Sequence, residues 1–236
     1  RVNDFIDWNG QKIPFGADLI FEQVEEPNSK IGIEICEDLW AVKSPSLDLS
    51  LAGAQVLLNL SASNEVLTKS DYRRNLVRMQ SAKCLSSYAV CSSGANESST
   101  DTVYSGHSLI AENGIILNET ERFSFKTQFA IADIDIEKLD NERIKNNSFG
   151  ISKASKDFRV IPFSLKDVKV DKLYREISRN PFVPKDNNKR KEVCEEIFAI
   201  QTTGLIQRLN YIETKKVVIG LSGGLDSTLA LLVAYD

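Results

Sequence analysis

The stretch Lys30-Ile31-Gly32-Ile33-Glu34-Ile35-Cys36-Glu37-Asp38-Leu39-Trp40 changes character at one residue. Up to Cys36 apolar positions alternate, as along a strand. Beyond it, two acidic residues lead the chain away from the strand end. Most cysteines are small buried hydrophobes. Cys36, however, stands at a strand edge, where a nucleophile is presented. Glu34, Glu37 and Asp38 all lie within two residues of it. Carboxylates raise a thiol pKa, so a working Cys36 needs a cation and a base nearby. Lys30 and Lys43 are the local cations, and neither is well placed. The partners must come from elsewhere.

Outward from this stretch the pattern is mixed. Pro45 to Ala52 predicts a short helix stopped by Gly53. Gln55 to Leu60 is an almost unbroken apolar run, as in a strand buried on both faces. Ser70 to Ser86 predicts a helix, and Tyr88 to Ser92 a short buried strand. Leu109 to Leu117, with Asn113-Gly114 at its centre, predicts a hairpin with a type I′ turn. Phe129 to Ile136 alternates like a strand, a polar helix runs on to about Asn146, and Arg159 to Phe163 closes the series as a strand. Strands and helices without regular alternation point to an α+β layered sandwich with partly antiparallel pairing.

The composition shifts at Asp167, and Pro181 and Pro184 fall in the polar stretch to Arg190. We expect residues 1–166 as one domain, 167–190 as a linker and 191–236 as the start of a second domain. Lys191 to Tyr211 predicts an amphipathic helix, and Lys215 to Leu221 a buried strand of parallel type. Ser222-Gly223-Gly224-Leu225-Asp226-Ser227 follows, then a new helix. Strand, glycine loop and helix in that order open a Rossmann-like α/β nucleotide-binding domain.

That loop suits a phosphate chain. Gly223 and Gly224 let backbone N–H groups approach an anion, and Ser222 and Ser227 add hydroxyl donors. The helix N-terminus favours negative charge. Asp226 can cap the helix or hold a magnesium ion. No Gly-Lys-Ser/Thr ends the loop, so it is not of Walker A type. ATP with Mg2+ is the expected ligand.

The formal charge of -4 argues against a general nucleic-acid binder. No apolar run reaches the ~18 residues that span a membrane. Cys36, Cys84, Cys91 and Cys194 are widely spaced and read as cytosolic thiols, so a cytoplasmic location is expected. With one His and no paired cysteines, no protein metal site is expected. The chain begins with Arg1 and stops soon after the loop, so it reads as a piece of a longer protein.

The loop resembles the pyrophosphatase-type loop of the ATP-adenylating amidotransferases. The run Ile33 to Trp40 resembles the nucleophile segment of the nitrilase, or carbon–nitrogen hydrolase, superfamily, which uses a Glu-Lys-Cys triad on an αββα sandwich. Asn59-Leu60-Ser61-Ala62-Ser63-Asn64-Glu65, Tyr72-Arg73-Arg74, Gln80 to Cys84 and Gly106 to Gly114 look like successive segments of one branch. That branch is the glutamine-dependent NAD synthetase family. The order, a nitrilase-like domain before a pyrophosphatase loop, is the most specific feature of the chain.

The resemblance implies an incomplete αββα sandwich and the following roles. Cys36 is the catalytic nucleophile, attacking the carboxamide of glutamine. Glu37, Trp40, Ser63 and Arg73 contact glutamine; Arg73 is equally readable as a solvated helix residue. The Glu37 N–H helps hold the oxyanion. Ser222, Gly223, Gly224, Asp226 and Ser227 bind ATP. Ammonia released at Cys36 amidates adenylated deamido-NAD, and the parent is a homo-oligomer. His107 is expected to be structural. The family's Glu and Lys would fall before residue 1, and Lys12, Glu22 and Glu25 are not assigned to those roles. This piece alone is therefore expected to be inactive. Two other readings stay open: a stand-alone nitrilase-type amidase with an unrelated appended domain, and a non-catalytic binding piece.

Overall fold

The computed structural model describes residues 4–25, 29–165 and 171–235. Contacts divide the chain between Glu176 and Ile177 into two units. Residues 167–170 of the expected linker lie outside the described residues.

The first unit opens on a hairpin, β1 (Phe5–Trp8) and β2 (Gln11–Pro14). Asn9 and Gly10 take positive φ between them, +49° and +77°, as a type I′ turn requires. Seven further strands make one mixed sheet: β3 (Leu19–Gln23), β4 (Lys30–Ile35), β5 (Val56–Ser61), β6 (Ser87–Ser92), β7 (Leu109–Glu112), β8 (Ile115–Glu119) and β9 (Arg159–Phe163). Their spatial order is β8-β7-β6-β5-β4-β3-β9. The central strands β4, β5 and β6 run parallel; β3 is antiparallel to β4, β7 is antiparallel to β6 and β8, and β9 is parallel to β3. The partly antiparallel pairing expected from the sequence is present.

Parallel neighbours need crossovers, and helices supply them. Helix α1 (Pro45–Leu51), with Pro45 at its first position, joins β4 to β5. Helix α2 (Lys69–Lys83) joins β5 to β6. Helix α3 (Ile136–Lys145) and the short α4 (Asn147–Ile151) precede β9. Ile20, Leu57, Tyr88, Val90, Leu109 and Ala111 from the sheet meet Leu49, Val77 and Cys84 in one buried core. Gly32 lets α1 come close: a Cβ there would lie 3.0 Å from Leu49 Cβ.

Alternation puts the other residues of each strand on the opposite face. There Ile35 is 62% exposed and Leu60 61%. This corrects the expectation that β5 is buried on both faces. Of the αββα order, the described residues supply one sheet and one layer of helices.

Two expected strands are not formed. Residues 125–135 run without a ladder, held by side chains: Asn118 Nδ2 donates to Ile131 O at 2.9 Å and Asp135 N–H to Glu112 Oε2 at 2.9 Å. Residues 214–222 carry no regular structure, although Val217 to Leu221 has a strand-like sequence. A strand needs a partner to satisfy its backbone. Within the described second unit the regular elements are two helices, α5 (Asn187–Tyr211) and α6 (Leu225–Tyr235). The expected Rossmann-like opening is therefore not shown: a loop and helix α6 are present without the strand. Helix α5 starts four residues before the expected Lys191, capped by Asp186, which accepts from Lys189 N–H at 2.7 Å. No helix among the described residues is long and apolar enough to cross a membrane.

Candidate active site

Strand β4 ends at Ile35, and Cys36 begins a one-turn 3-10 helix to Trp40. Cys36 has φ +50°, in the left-handed region. That conformation costs a side-chain-bearing residue about 1–2 kcal/mol, so surrounding bonds must hold it. Asp38 takes the Ile35 N–H at 2.8 Å, tying the strand end to the turn. Asn59, on the adjacent β5, takes the Cys36 N–H on Oδ1 at 3.0 Å and donates from Nδ2 to the Cys36 carbonyl at 3.3 Å. The thiol faces an open cleft of about 380 Å³ whose lining includes Ser61, Ser92, Ser93, Cys91 and Glu97. The Ser61 hydroxyl donates to Cys36 Sγ at 3.8 Å.

The three neighbouring carboxyl groups do not crowd the thiol equally. Glu34 is 3% exposed and is turned into the helix side of the sheet. There it accepts from Ser44 Oγ at 2.9 Å, Ser46 N–H at 2.6 Å and the Tyr88 hydroxyl. Asp38 is occupied by the Ile35 N–H, and Glu37 is exposed. Alternation along β4 and the turn after it thus separate the acids that looked clustered in sequence.

Lys69, at the start of α2, is a cation that sits beside the Trp40 turn. Its ammonium lies 5.3 Å from the Trp40 ring centroid and donates to Asn64 O at 2.7 Å. Burial, with the neighbouring charge of Arg73, lowers the Lys69 pKa, while Glu65 and Cys36 act on it in the opposite sense. Trp40 in turn stacks on Tyr72, with centroids 5.3 Å apart and planes 12° off parallel. Trp40, Tyr72 and Lys69 therefore form one wall beside the nucleophile segment.

Arg73 is 3% exposed. Its Nη1 reaches Glu65 Oε2 at 3.3 Å and His107 Nδ1 at 3.0 Å. Burial raises the Glu65 pKa, but the Ser105 hydroxyl, Arg73 and Arg122 outweigh it and hold Glu65 low. His107 is fully buried and its Nε2 meets Glu119 Oε2 at 3.2 Å. Ser63 is half-buried two residues past Ser61, in the loop after β5. Sequence reasoning passed over Ser61, Lys69 and Asn59. Asn59 left one signal, a lone amide inside an apolar strand.

The other thiols differ. Burial pushes Cys84 up to about 11, so it stays protonated, whereas Cys91 and Cys194 are exposed.

In the second unit, Gly223 has φ +81°, which favours glycine, and α6 begins at Leu225. Ser222 Oγ and Ser227 Oγ lie 3.2 Å apart, Ser222 N–H donates to Ser227 Oγ at 3.3 Å, and Gly224 N–H donates to Ser222 Oγ at 3.4 Å. All five expected ligand residues of this loop lie together on 222–227, and all but the half-buried Ser227 are exposed.

The chain is 42% identical over 231 residues to the "Glutamine-dependent NAD(+) synthetase" of Mycobacterium bovis, covering 95% of this chain and 34% of that one. It is 40% identical over 229 residues to the protein of the same name from Mycobacterium leprae, covering 94% and 34%. Among solved structures, a glutamine-dependent NAD(+) synthetase from Cytophaga hutchinsonii aligns at 32% identity with a TM-score of 0.43, over 52% of this chain and 18% of that one. The chain thus spans about a third of the length of the curated relatives it matches. Residues 10–143, which carry strands β3 to β8, α1, α2 and the Cys36 turn, match the family described as carbon-nitrogen hydrolase, and the chain belongs to that family.

Proposed function

We propose that this chain is part of an ATP-dependent amidotransferase that takes nitrogen from glutamine and amidates adenylated deamido-NAD to give NAD. One observation carries the reading: Cys36 stands at a strand end in the left-handed conformation, its thiol open to a cleft. Identity of 40–42% over nearly the whole chain to proteins of that name supports it.

The Cys36 sulfur attacks the carboxamide carbon of glutamine. The C–N bond breaks, ammonia leaves after taking a proton, and a thioester to Cys36 remains. Water then cleaves the thioester to glutamate and the free thiol. The Glu37 N–H and the wall of Trp40 and Lys69 orient the substrate, with Ser63 on the adjoining loop. Lys69, as the accessible cation, pairs with the α-carboxylate. Arg73, buried on Glu65 and His107, supports that wall from behind.

At the second site, Ser222, Gly223, Gly224 and Ser227 present hydroxyl and N–H donors to the phosphates of ATP, and α6 adds its N-terminus. No cluster of three metal-ligating residues exists among the described residues. Magnesium held by Asp226 and the phosphates fits that donor set, since this ion keeps water and phosphate ligands. ATP supplies the adenylate that activates the carboxylate.

The test is direct. Full-length protein given glutamine, ATP, magnesium and deamido-NAD should form NAD, glutamate and AMP; hydrolysis of glutamine without any NAD would leave a simple amidase and end this reading.

A further inference from the structure

We propose that Asn59 is a positioning residue that holds the Cys36 backbone in its left-handed conformation, and that Tyr88 and Glu34 fix which way the Asn59 amide points. This rests on the reading of Cys36 as the nucleophile.

Cys36 lies one residue past the end of β4, where the ladder with β5 stops at Ile35 and Leu60. Its N–H and C=O are both met by one side chain, Asn59, at 3.0 and 3.3 Å. A side-chain amide can accept from an N–H with its oxygen and donate to the adjacent C=O with its nitrogen at once. Asn59 is 1% exposed within the run Leu57-Leu58-Asn59-Leu60, where an unpaired amide would be costly. All its polar atoms are used: the second Nδ2 proton goes to the Tyr88 hydroxyl at 3.1 Å.

The direction of that amide is set from behind. Tyr88 is fully buried and has one hydroxyl proton, which it gives to Glu34 Oε1. Burial and the neighbouring Glu34 push the Tyr88 pKa upward, so the proton stays. Its oxygen can then only accept, and Asn59 must present Nδ2 to it. Oδ1 is left for the Cys36 N–H. A flipped amide would set oxygen against the Cys36 carbonyl and NH2 against its N–H. Glu34 is itself fixed by Ser44 Oγ and Ser46 N–H at the start of α1. The chain of bonds therefore runs from α1 through Glu34, Tyr88 and Asn59 to the backbone of the nucleophile. It explains why a carboxyl group and a phenol are buried beneath a cysteine that neither one touches through its sulfur.

The test uses the full-length protein with Asn59→Leu and Tyr88→Phe. Peptide-resolved alkylation by iodoacetamide reads Cys36 directly, with the exposed Cys194 as internal reference. Asn59→Leu should slow Cys36 alkylation and lower kcat for glutamine by about tenfold or more, as expected for loss of two held bonds. KM should stay within about twofold, since the substrate wall is untouched. Tyr88→Phe should move both readouts the same way by a smaller factor. Cys194 alkylation and ammonia-driven synthesis should not change. Cys36 alkylated at the wild-type rate in a folded Asn59→Leu protein overturns the proposal. If Asn59→Leu does not fold, Tyr88→Phe decides: an unchanged Cys36 rate overturns it. If the wild type lacks glutamine hydrolysis, the functional reading fails, yet the alkylation comparison still judges the role of Asn59.

Discussion

Arg175 grips Glu112 with both guanidinium nitrogens, Nη1 to Oε2 at 2.8 Å and Nη2 to Oε1 at 2.7 Å. Glu112 closes β7 and is 2% exposed, so its charge depends on that fork. Arg175 lies beyond the last strand, and the bond draws the departing chain back to the sheet. Arg175→Ala leaves a buried carboxyl group without its main partner. We expect a loss of about 3 kcal/mol in urea unfolding of the first unit. Glu112→Gln, which removes the charge together with its demand, should lose less.

His107 makes stability depend on pH. Burial, opposed by the Glu119 bond and joined by the charges of Arg73 and Arg74, lowers its pKa below the ordinary imidazole value. The Arg73 bond to Nδ1 at 3.0 Å demands an unprotonated nitrogen there, which agrees in direction. The unfolded chain then takes up a proton at this site before the folded one does. Stability is full above the unfolded value and falls as pH drops through it. Glu65 and Glu119 are held below the ordinary glutamate value, so their loss comes at lower pH. Unfolding free energy should therefore decline from about pH 7.5 to about pH 5.5, and His107→Gln should flatten that decline.

Lys69 and Arg73 should separate cleanly. Lys69 is partly accessible over Trp40, whereas Arg73 is buried on Glu65 and His107. Lys69→Met should raise KM for glutamine by about tenfold or more, as for loss of a charge-assisted bond, with little change in melting temperature. Arg73→Met should instead lower the melting temperature, because it strands the buried Glu65 charge. Steady-state kinetics and thermal denaturation of the two variants check this.

Gly32 faces α1 so closely that an added Cβ meets three Leu49 carbons at 3.0 to 3.2 Å. Gly32→Ala should cost about 1–3 kcal/mol by overpacking, measured by chemical denaturation. The Gly32→Ala, Leu49→Ala double variant should lose less than the sum of the two single losses, since Leu49→Ala removes the two Cδ contacts.

These residues also show what could be read beforehand. The central strands, α1, α2 and the Asn113-Gly114 turn announce themselves because periodicity and turn chemistry are local. The opening hairpin carried the same signal at Asn9-Gly10, and it was missed. Phe129 to Ile136 and Lys215 to Leu221 have strand-like sequences, but pairing is a property of neighbours, and no ladder forms there. Cys36 was legible because a thiol at a strand end is unusual. Lys69 was not, because a lysine opening a helix reads as a solvated residue until Trp40 is seen beneath it. The clustered acids misled for the same reason: spacing along the chain says nothing of which side of the sheet Glu34 faces.

On the proposed function, Cys36 delivers nitrogen from glutamine to a separate synthetase site. Measuring NAD formation by the full-length Cys36→Ala protein with glutamine and, separately, with ammonium chloride tests it most directly. Glutamine-dependent synthesis should fall to background while ammonia-dependent synthesis stays near wild type. Equal loss with both nitrogen sources, or survival of the glutamine route, would contradict the account.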